Sequence, residues 1–280
     1  MEPGNGDRLV GRTVVITGGT RGIGQGMARE FLQRGHSVCI TGRTQSSVDK
    51  ALEELQGDAA NGQLIGMPCE AGNLEQVQAV WDRTVAALGH IDIWINNAGL
   101  ANVMRDFGHI EKSEYDNVIS TNLTGTLNGC RVALHGMQQQ GHGQIYNFEG
   151  LGSDGRVAKG FSVYGMTKRA ITYFTETLVK EYEDSPVNIG FLSPGIVITF
   201  MTLNEADHME PERWARTKRI YNIIADKVET VTPWLVEQTL ADYGKHGSKI
   251  AWLTPRKAAF RFFGAFVLRR KRDLFEGLDV

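Results

Sequence analysis

The sequence predicts an α/β fold, a doubly wound parallel sheet of about seven strands with helices on both faces, followed by a basic C-terminal helix. Three observations carry that expectation. Apolar runs of strand length alternate with helix-period segments along the chain, a glycine-rich turn joins the first strand to the first helix, and no repeat or linker breaks the series.

The strand-length runs are Thr13 to Thr17, Ser37 to Thr41, Gln63 to Met67, Ile91 to Ile95, Gly143 to Phe148, Val187 to Leu192 and Lys249 to Leu253. They are near-continuous apolar segments, as strands covered on both faces require. Helical patterns fill the gaps near 22–34, 46–56, 73–88, 112–139, 161–183 and 231–243, with Gly35, Gly57, Gly89 and Gly141 placed as C-terminal stops. In such a sheet ligands bind at the carboxyl ends of the strands, where strand order reverses. Functional residues are therefore expected just after strands.

Length and charge narrow the function classes. A chain of 280 residues suits a single large α/β domain with a sizeable core. With 30 Lys+Arg against 32 Asp+Glu the net charge is -2, which gives no reason to expect a nucleic-acid partner. Cys39, Cys69 and Cys130 are odd in number, widely spaced and set in apolar segments, the pattern of buried reduced thiols in a cytoplasmic protein. Met1 to Val10 shows neither a secretory nor a transit pattern. Arg261 interrupts the one aromatic-rich tail segment, so no bilayer span is expected, and membrane contact is limited to the surface.

Directly after the first strand comes Thr17-Gly18-Gly19-Thr20-Arg21-Gly22-Ile23-Gly24, running straight into a helical segment. Glycines permit a tight turn and let backbone N–H groups approach a pyrophosphate, which the helix N-terminus then stabilises. The strand-turn-helix context makes this a Rossmann-type dinucleotide site. The second strand ends in Ile40-Thr41-Gly42-Arg43-Thr44, about twenty residues on, where an NAD-preferring site places an acid on the ribose 2′-hydroxyl. No acid stands there. Arg43, together with Arg21, suits a 2′-phosphate instead, so NADPH is the expected cofactor.

The spacing Thr17-Gly-x-x-x-Gly22-x-Gly24 resembles the short-chain dehydrogenase/reductase family, and later segments repeat its marks in order over roughly residues 10 to 255. Asn96-Asn97-Ala98-Gly99 follows the fourth strand, Asn122 lies in the next helix, Tyr164-Gly-Met-Thr-Lys168 opens the helix after strand five, and Pro194-Gly195 with Thr199 follows strand six. The resemblance implies that Asn97 to Gly99 line the adenosine side, that Val197 and Thr199 hold the nicotinamide carboxamide and phosphates, and that Glu70, with Ala71 beside it, stands near adenine. It further implies a dimer or tetramer built on the helices near 112–139 and 161–183. Residues four apart share a helix face, so Tyr164 and Lys168 can point into one cavity. Bringing a phenol from about 10 to near neutrality takes about 4 kcal/mol, which an ammonium and an oxidised nicotinamide can supply. Tyr164 is then the general acid toward a carbonyl oxygen, Lys168 acidifies it and binds the nicotinamide ribose, and Asn122 supports a proton relay through water.

One mark is missing. Most members place a serine about a dozen residues before the tyrosine, to hydrogen-bond the carbonyl, but this chain reads Asn147-Phe148-Glu149-Gly150-Leu151-Gly152-Ser153-Asp154-Gly155 with Gly150 and Leu151 at the expected positions. Ser153 is the candidate replacement, or a simple turn serine. Glu149 either faces the site as a protonated donor or is a solvated or ion-paired carboxylate. This loop, together with Ile91 to Gly99, Tyr164 to Arg169 and Leu192 to Gly195, resembles the chlorophyll b reductases of plants and their bacterial relatives. That likeness implies NADPH-dependent reduction of the 7-formyl group to hydroxymethyl. A generic keto- or aldehyde reductase of lipid-like substrates, and an NADPH-binding regulatory protein without turnover, are the other readings.

Residues 1–254 are thus expected to form the reductase domain, with a lid near 200–226 in which Met201, Leu203, Trp214, Tyr221 and Ile224 cover a bulky hydrophobic substrate. Residues 255–280 form an extension in which Pro255 to Asp273 reads as a basic, aromatic amphipathic helix. Its phenylalanines suit either an anionic membrane interface or packing on the domain or a second subunit.

Overall fold

The computed structural model describes residues 11–203 and 209–277. The targeting reading of Met1 to Val10 lies outside them, as do residues 204–208 of the expected lid and the last three of the tail.

The central sheet joins β1 (Thr13–Ile16), β2 (Ser37–Gly42), β3 (Leu64–Pro68), β4 (Ile93–Asn96), β5 (Gly143–Phe148), β6 (Val187–Ser193) and β9 (Lys249–Ala251), all parallel, in the order β3-β2-β1-β4-β5-β6-β9. Helices α1 (Gly22–Gln33), α2 (Gln45–Leu55), α3 (Leu74–Leu88), α4 (Lys112–Ile119), α5 (Gly125–Gln140), α6 (Ser162–Glu181), α7 (Phe200–Leu203), α8 (Pro211–Ile224), α9 (Val228–Ala241) and α10 (Pro255–Phe266) surround it, and β7 (Val197–Ile198) pairs with β8 (Asp226–Lys227) in a separate two-stranded ladder. The doubly wound sheet of seven strands is as the sequence predicts.

Alternation along each strand builds two cores. Val14 and Ile16 face one side, where Met27 and Phe31 of α1 and Val231 and Leu235 of α9 cover them. Val15 faces the other, under Val77, Trp81, Met137 and Leu178 of α3, α5 and α6. Strand order reverses between β1 and β4, which opens a crevice above their carboxyl ends.

The structure differs from the sequence reading in three places. The stretch near 112–139 is not one helix: a π-helical turn at Ser120–Thr124 separates α4 from α5. Its buried Asn122 uses both ends of its amide on the Leu100 backbone, a tertiary tie that outweighs regular helix spacing. The tail helix stops at Phe266 instead of continuing to Asp273; Arg269 takes a φ of +51 and the chain turns back, burying Leu274 and Phe275 with Trp214. Finally, β7, β8 and α8 had no expected counterpart, and α9 begins at Val228, before the expected 231. Gly89 and Gly141 end helices with positive φ, whereas Gly57 lies in a 3-10 turn.

Asp226 ties the tail to the β7–β8 ladder. Its buried carboxylate accepts from Trp252 Nε1 at 2.6 Å and pairs with Arg261 and Arg272 at 2.7 Å each. Burial works to raise its pKa, but the hydrogen bonds from Arg261 and Trp252 and the guanidinium charges outweigh it, so the carboxyl ionises below its usual range. A carboxyl depressed below its unfolded value of about 3.9 contributes stability that is complete above that value and fades as pH falls through the folded pKa. Asp226→Asn is expected to cost about 2 kcal/mol, less than a fully enclosed pair because Arg272 is partly solvated. Urea unfolding with limited proteolysis of the tail checks this; an unchanged midpoint would contradict it.

Candidate active site

The turn from β1 to α1 is nested on the turn after β4. Gly18 and Gly22 have φ of +64 and +57, which glycine alone adopts without strain, and a Cβ on Gly18 would stand 2.8 Å from Ala98 Cα. Asn97 Nδ2 donates to Thr17 O at 2.9 Å and Gly18 O at 3.0 Å, while Thr17 Oγ1 accepts from Asn97 N and Ala98 N. The side chain of Asn97 therefore fixes the glycine turn. A Cβ on Gly24 would meet that amide at 2.5 Å, so close packing requires glycine there too. Thr20 lies against Gly42, and Ile23 packs on the core from the first turn of α1.

Arg21 precedes α1 in extended conformation, its guanidinium 4.9 Å from the Phe200 ring centroid, and Arg43 lies exposed beyond β2. Thr44 caps α2 by accepting from Ser47 N. A cleft of about 450 Å³ is lined by Gly18, Gly42, Arg43, Glu70, Ala71 and Ala98. From the other side, the chain after β6 passes the buried Pro194 and the exposed Gly195 (φ +74) into Val197 of β7. Thr199 Cγ2 then comes within 3.5 Å of where a Gly22 Cβ would be. The glycine turn, Arg43, Glu70 and Ala71 thus line one cleft at the carboxyl ends of the strands, with Thr199 of the loop after β6 beside Gly22. Its glycine cradle and helix N-terminus fit the pyrophosphate of a dinucleotide.

Lys168 is the buried charge of the site. Its Nζ donates to Phe148 O at 3.0 Å and lies 5.8 Å from the centroid of the Tyr164 ring. Burial pulls its pKa down to about 8, against the opposing charge of Glu149. A Cβ on Gly99 would stand 3.6 Å from Asn122 Oδ1 and 4.0 Å from Lys168 Nζ, so the turn after β4, the π-helical turn and α6 converge. Asn122 Nδ2 also donates to Thr167 Oγ1 at 3.1 Å. Sequence reasoning missed Asn102: its Oδ1 accepts from Tyr164 N at 3.1 Å, and its Nδ2 donates to Val103 O and Gly160 O, anchoring the start of α6. Its signal was to be the one polar residue in Leu100 to Met104.

The loop after β5 is equally specific. Ser153 Oγ accepts from Gly150 N at 3.0 Å and donates to Lys168 O at 3.3 Å, so its proton is engaged in holding the loop on α6. Glu149 is buried and ion-paired with Lys249 at 2.7 Å, with Thr172 Oγ1 donating at 3.3 Å. Of the two readings of Glu149, the paired carboxylate is the one observed. A Cβ on Gly150 would lie 2.4 Å from Tyr164 Oη.

A pH profile follows from Lys168. Its ammonium stands beside Tyr164 below about 8 and is lost above it, so any turnover that depends on that charge beside the phenol is expected to fall as pH rises through that value. Stability moves the other way. The folded pKa lies below the unfolded ~10.4, so the cost of burying the charged amine is greatest below about 8 and is relieved as pH rises across the window. Initial rates and urea unfolding over this range test the pair, and parallel trends would contradict it.

Residues 12–210 match the family model for short chain dehydrogenases. A probable chloroplastic chlorophyll(ide) b reductase of Oryza sativa subsp. japonica is 34% identical over 285 residues, covering 96% of this chain and 55% of the relative. A chloroplastic chlorophyll(ide) b reductase of the same plant is 34% identical over 275 residues, covering 95% of this chain and 78% of the relative. The chain spans about half the length of the first of these. Among solved structures, levodione reductase superposes with a TM-score of 0.78 at 23% identity, over 89% of this chain and 98% of that one, a likeness of fold.

Proposed function

The chain belongs to the short-chain dehydrogenase/reductase family, and from that premise we propose that it uses NADPH to reduce a formyl group on a bulky hydrophobic substrate, chlorophyll b or a related tetrapyrrole. The observation that carries the reading is the buried Lys168, its Nζ held by Phe148 O beside the Tyr164 ring, within a crevice bounded by a glycine cradle. When bound, the nicotinamide supplies hydride to the carbonyl carbon. Tyr164 Oη supplies the proton to the carbonyl oxygen, Lys168 keeps that phenol acidic, and Asn122 orders the path by which the proton is replaced. Arg21 and Arg43 would hold the 2′-phosphate, and Thr20, Gly22, Ile23 and Gly24 would present the α1 N-terminus to the pyrophosphate.

Residues 200–203 and 209–226 serve as the lid, with Phe200 exposed beside the Arg21 guanidinium. The tail brings the site to a membrane surface: Phe260 and Phe266 are 63% and 73% exposed beside Arg256 and Arg270, and Phe262 stacks on Phe266 at 6.1 Å. Among the described residues, no helix is long and apolar enough to cross a membrane. Flotation with anionic liposomes is expected for the full chain and lost on Phe260→Ser with Phe266→Ser; equal behaviour would remove the idea. We also propose a dimer or tetramer through α5 and α6, where Leu127, Met166 and Tyr173 stand exposed.

The deciding experiment follows NADPH and NADH oxidation with chlorophyll b, chlorophyllide b and simpler aldehydes and ketones, with chromatography of the pigment product. A 7-hydroxymethyl product formed preferentially with NADPH supports the proposal. Turnover of simple ketones alone would return the chain to the generic reductases, and NADPH binding without any turnover would make it a binding protein.

A further inference from the structure

The amino ends of the strands, opposite the reductase crevice, hold a cluster that the chemistry above does not use. His90 lies in the turn from α3 to β4, Asp92 just before β4, and His142 in the turn from α5 to β5. His90 Nε2 is 3.1 Å from Asp92 Oδ2, His142 Nε2 is 3.5 Å from Asp92 Oδ1, and a ligating atom of each residue lies within 4.8 Å of the others. Two ligands bound tetrahedrally at about 2.0–2.1 Å stand roughly 3.3 Å apart, which both nitrogen-oxygen distances bracket.

The surroundings hold this constellation in place. Asp92 is buried, and Thr13 N donates to its Oδ2 at 2.8 Å, fixing the carboxylate plane. Gln140 Oε1 accepts from Ile91 N, and its Nε2 donates to Ile91 O and His142 O, locking the two histidine-bearing turns together. Both histidine side chains are about half exposed, so an ion has an entry path and room for a water as a further ligand. The contact a cation would displace is that of Gln140 Nε2 with His142 Nε2, at 3.2 Å.

We propose that His90, Asp92 and His142 form a divalent-cation site of the zinc class, which staples the α3–β4 and α5–β5 turns at the end of the sheet remote from the cofactor. Two imidazoles and one carboxylate select zinc, cobalt or nickel over magnesium and calcium, which prefer all-oxygen sets. Three ligands leave the site open, and the nearby Arg12, whose N–H donates to His36 Nδ1, adds positive charge. Both features make it an exchangeable site and not a closed structural one.

The test is titration of the chelator-stripped, tag-free full chain with Zn²⁺, followed by calorimetry and thermal unfolding, with Co²⁺ as the spectroscopic probe. One ion per chain is expected, with a raised unfolding midpoint and the strong visible absorption of four-coordinate cobalt. His90→Gln and His142→Gln should each weaken binding at least tenfold and erase the midpoint shift while leaving turnover unchanged. Unchanged affinity in both variants, absence of cobalt absorption, or an equal response to Mg²⁺ would overturn the proposal.

Discussion

Tyr164→Phe is expected to lower carbonyl-reducing kcat/KM by about 10²–10⁴-fold, the range a positioned general acid contributes. The substitution removes one oxygen from a helix whose start is held by backbone contacts: Asn102 Oδ1 receives the residue 164 N–H, and Lys168 Nζ is fixed by Phe148 O. Neither contact involves the hydroxyl. The loss should fall on kcat and not on cofactor affinity. Stopped-flow turnover beside fluorescence titration of NADPH separates these quantities. Turnover retained within about threefold would remove Tyr164 from the chemistry.

Gly150→Ser is expected to inactivate the enzyme by about 10²-fold, even though it restores the residue that most family members carry near this position. Gly150 does not have positive φ, so the backbone itself admits a side chain. The obstacle is Tyr164: a Cβ at position 150 would approach its Oη to 2.4 Å and Lys168 Cγ to 3.2 Å. The tip of a tyrosine yields more readily than backbone, so the phenol is displaced, and an error of about 1 Å in a reacting group costs on the order of 10²-fold. Stability should fall by only about 1–2 kcal/mol. Gly150→Ala should behave alike, since the first carbon causes the conflict. A serine variant faster than the parent would show that the loop relaxes differently.

What was legible in the sequence was local. Val14 to Ile16 is apolar without interruption, the glycine turn follows within two residues, and Tyr164 and Lys168 share a helix face; each needs only neighbours in sequence. What was not legible depended on distant partners. Glu149 meets Lys249 one hundred residues on. The π-helical turn exists because Asn122 binds the Leu100 backbone, and Ser153 bonds the Lys168 carbonyl on a separate helix. In α8 only Trp214 is buried, which left too faint an apolar stripe to announce a helix. The tail gave the wrong end point because burial of Leu274 and Phe275 outweighs helix continuation, and neither side chain shows in sequence what it will cover.

The ion pairs of Asp226 bear on how the extension can be studied. Cutting the chain after residue 254, the obvious way to ask what the last segment contributes, would strip an enclosed anion of both its guanidinium neighbours and uncover Trp214. The shortened protein would then differ from the whole in the neighbouring β7–β8 ladder as well as in the missing helix. Any activity or lipid affinity it lost would report collapse of that shared corner, so only point changes on the outward phenylalanines isolate the role of the surface they form.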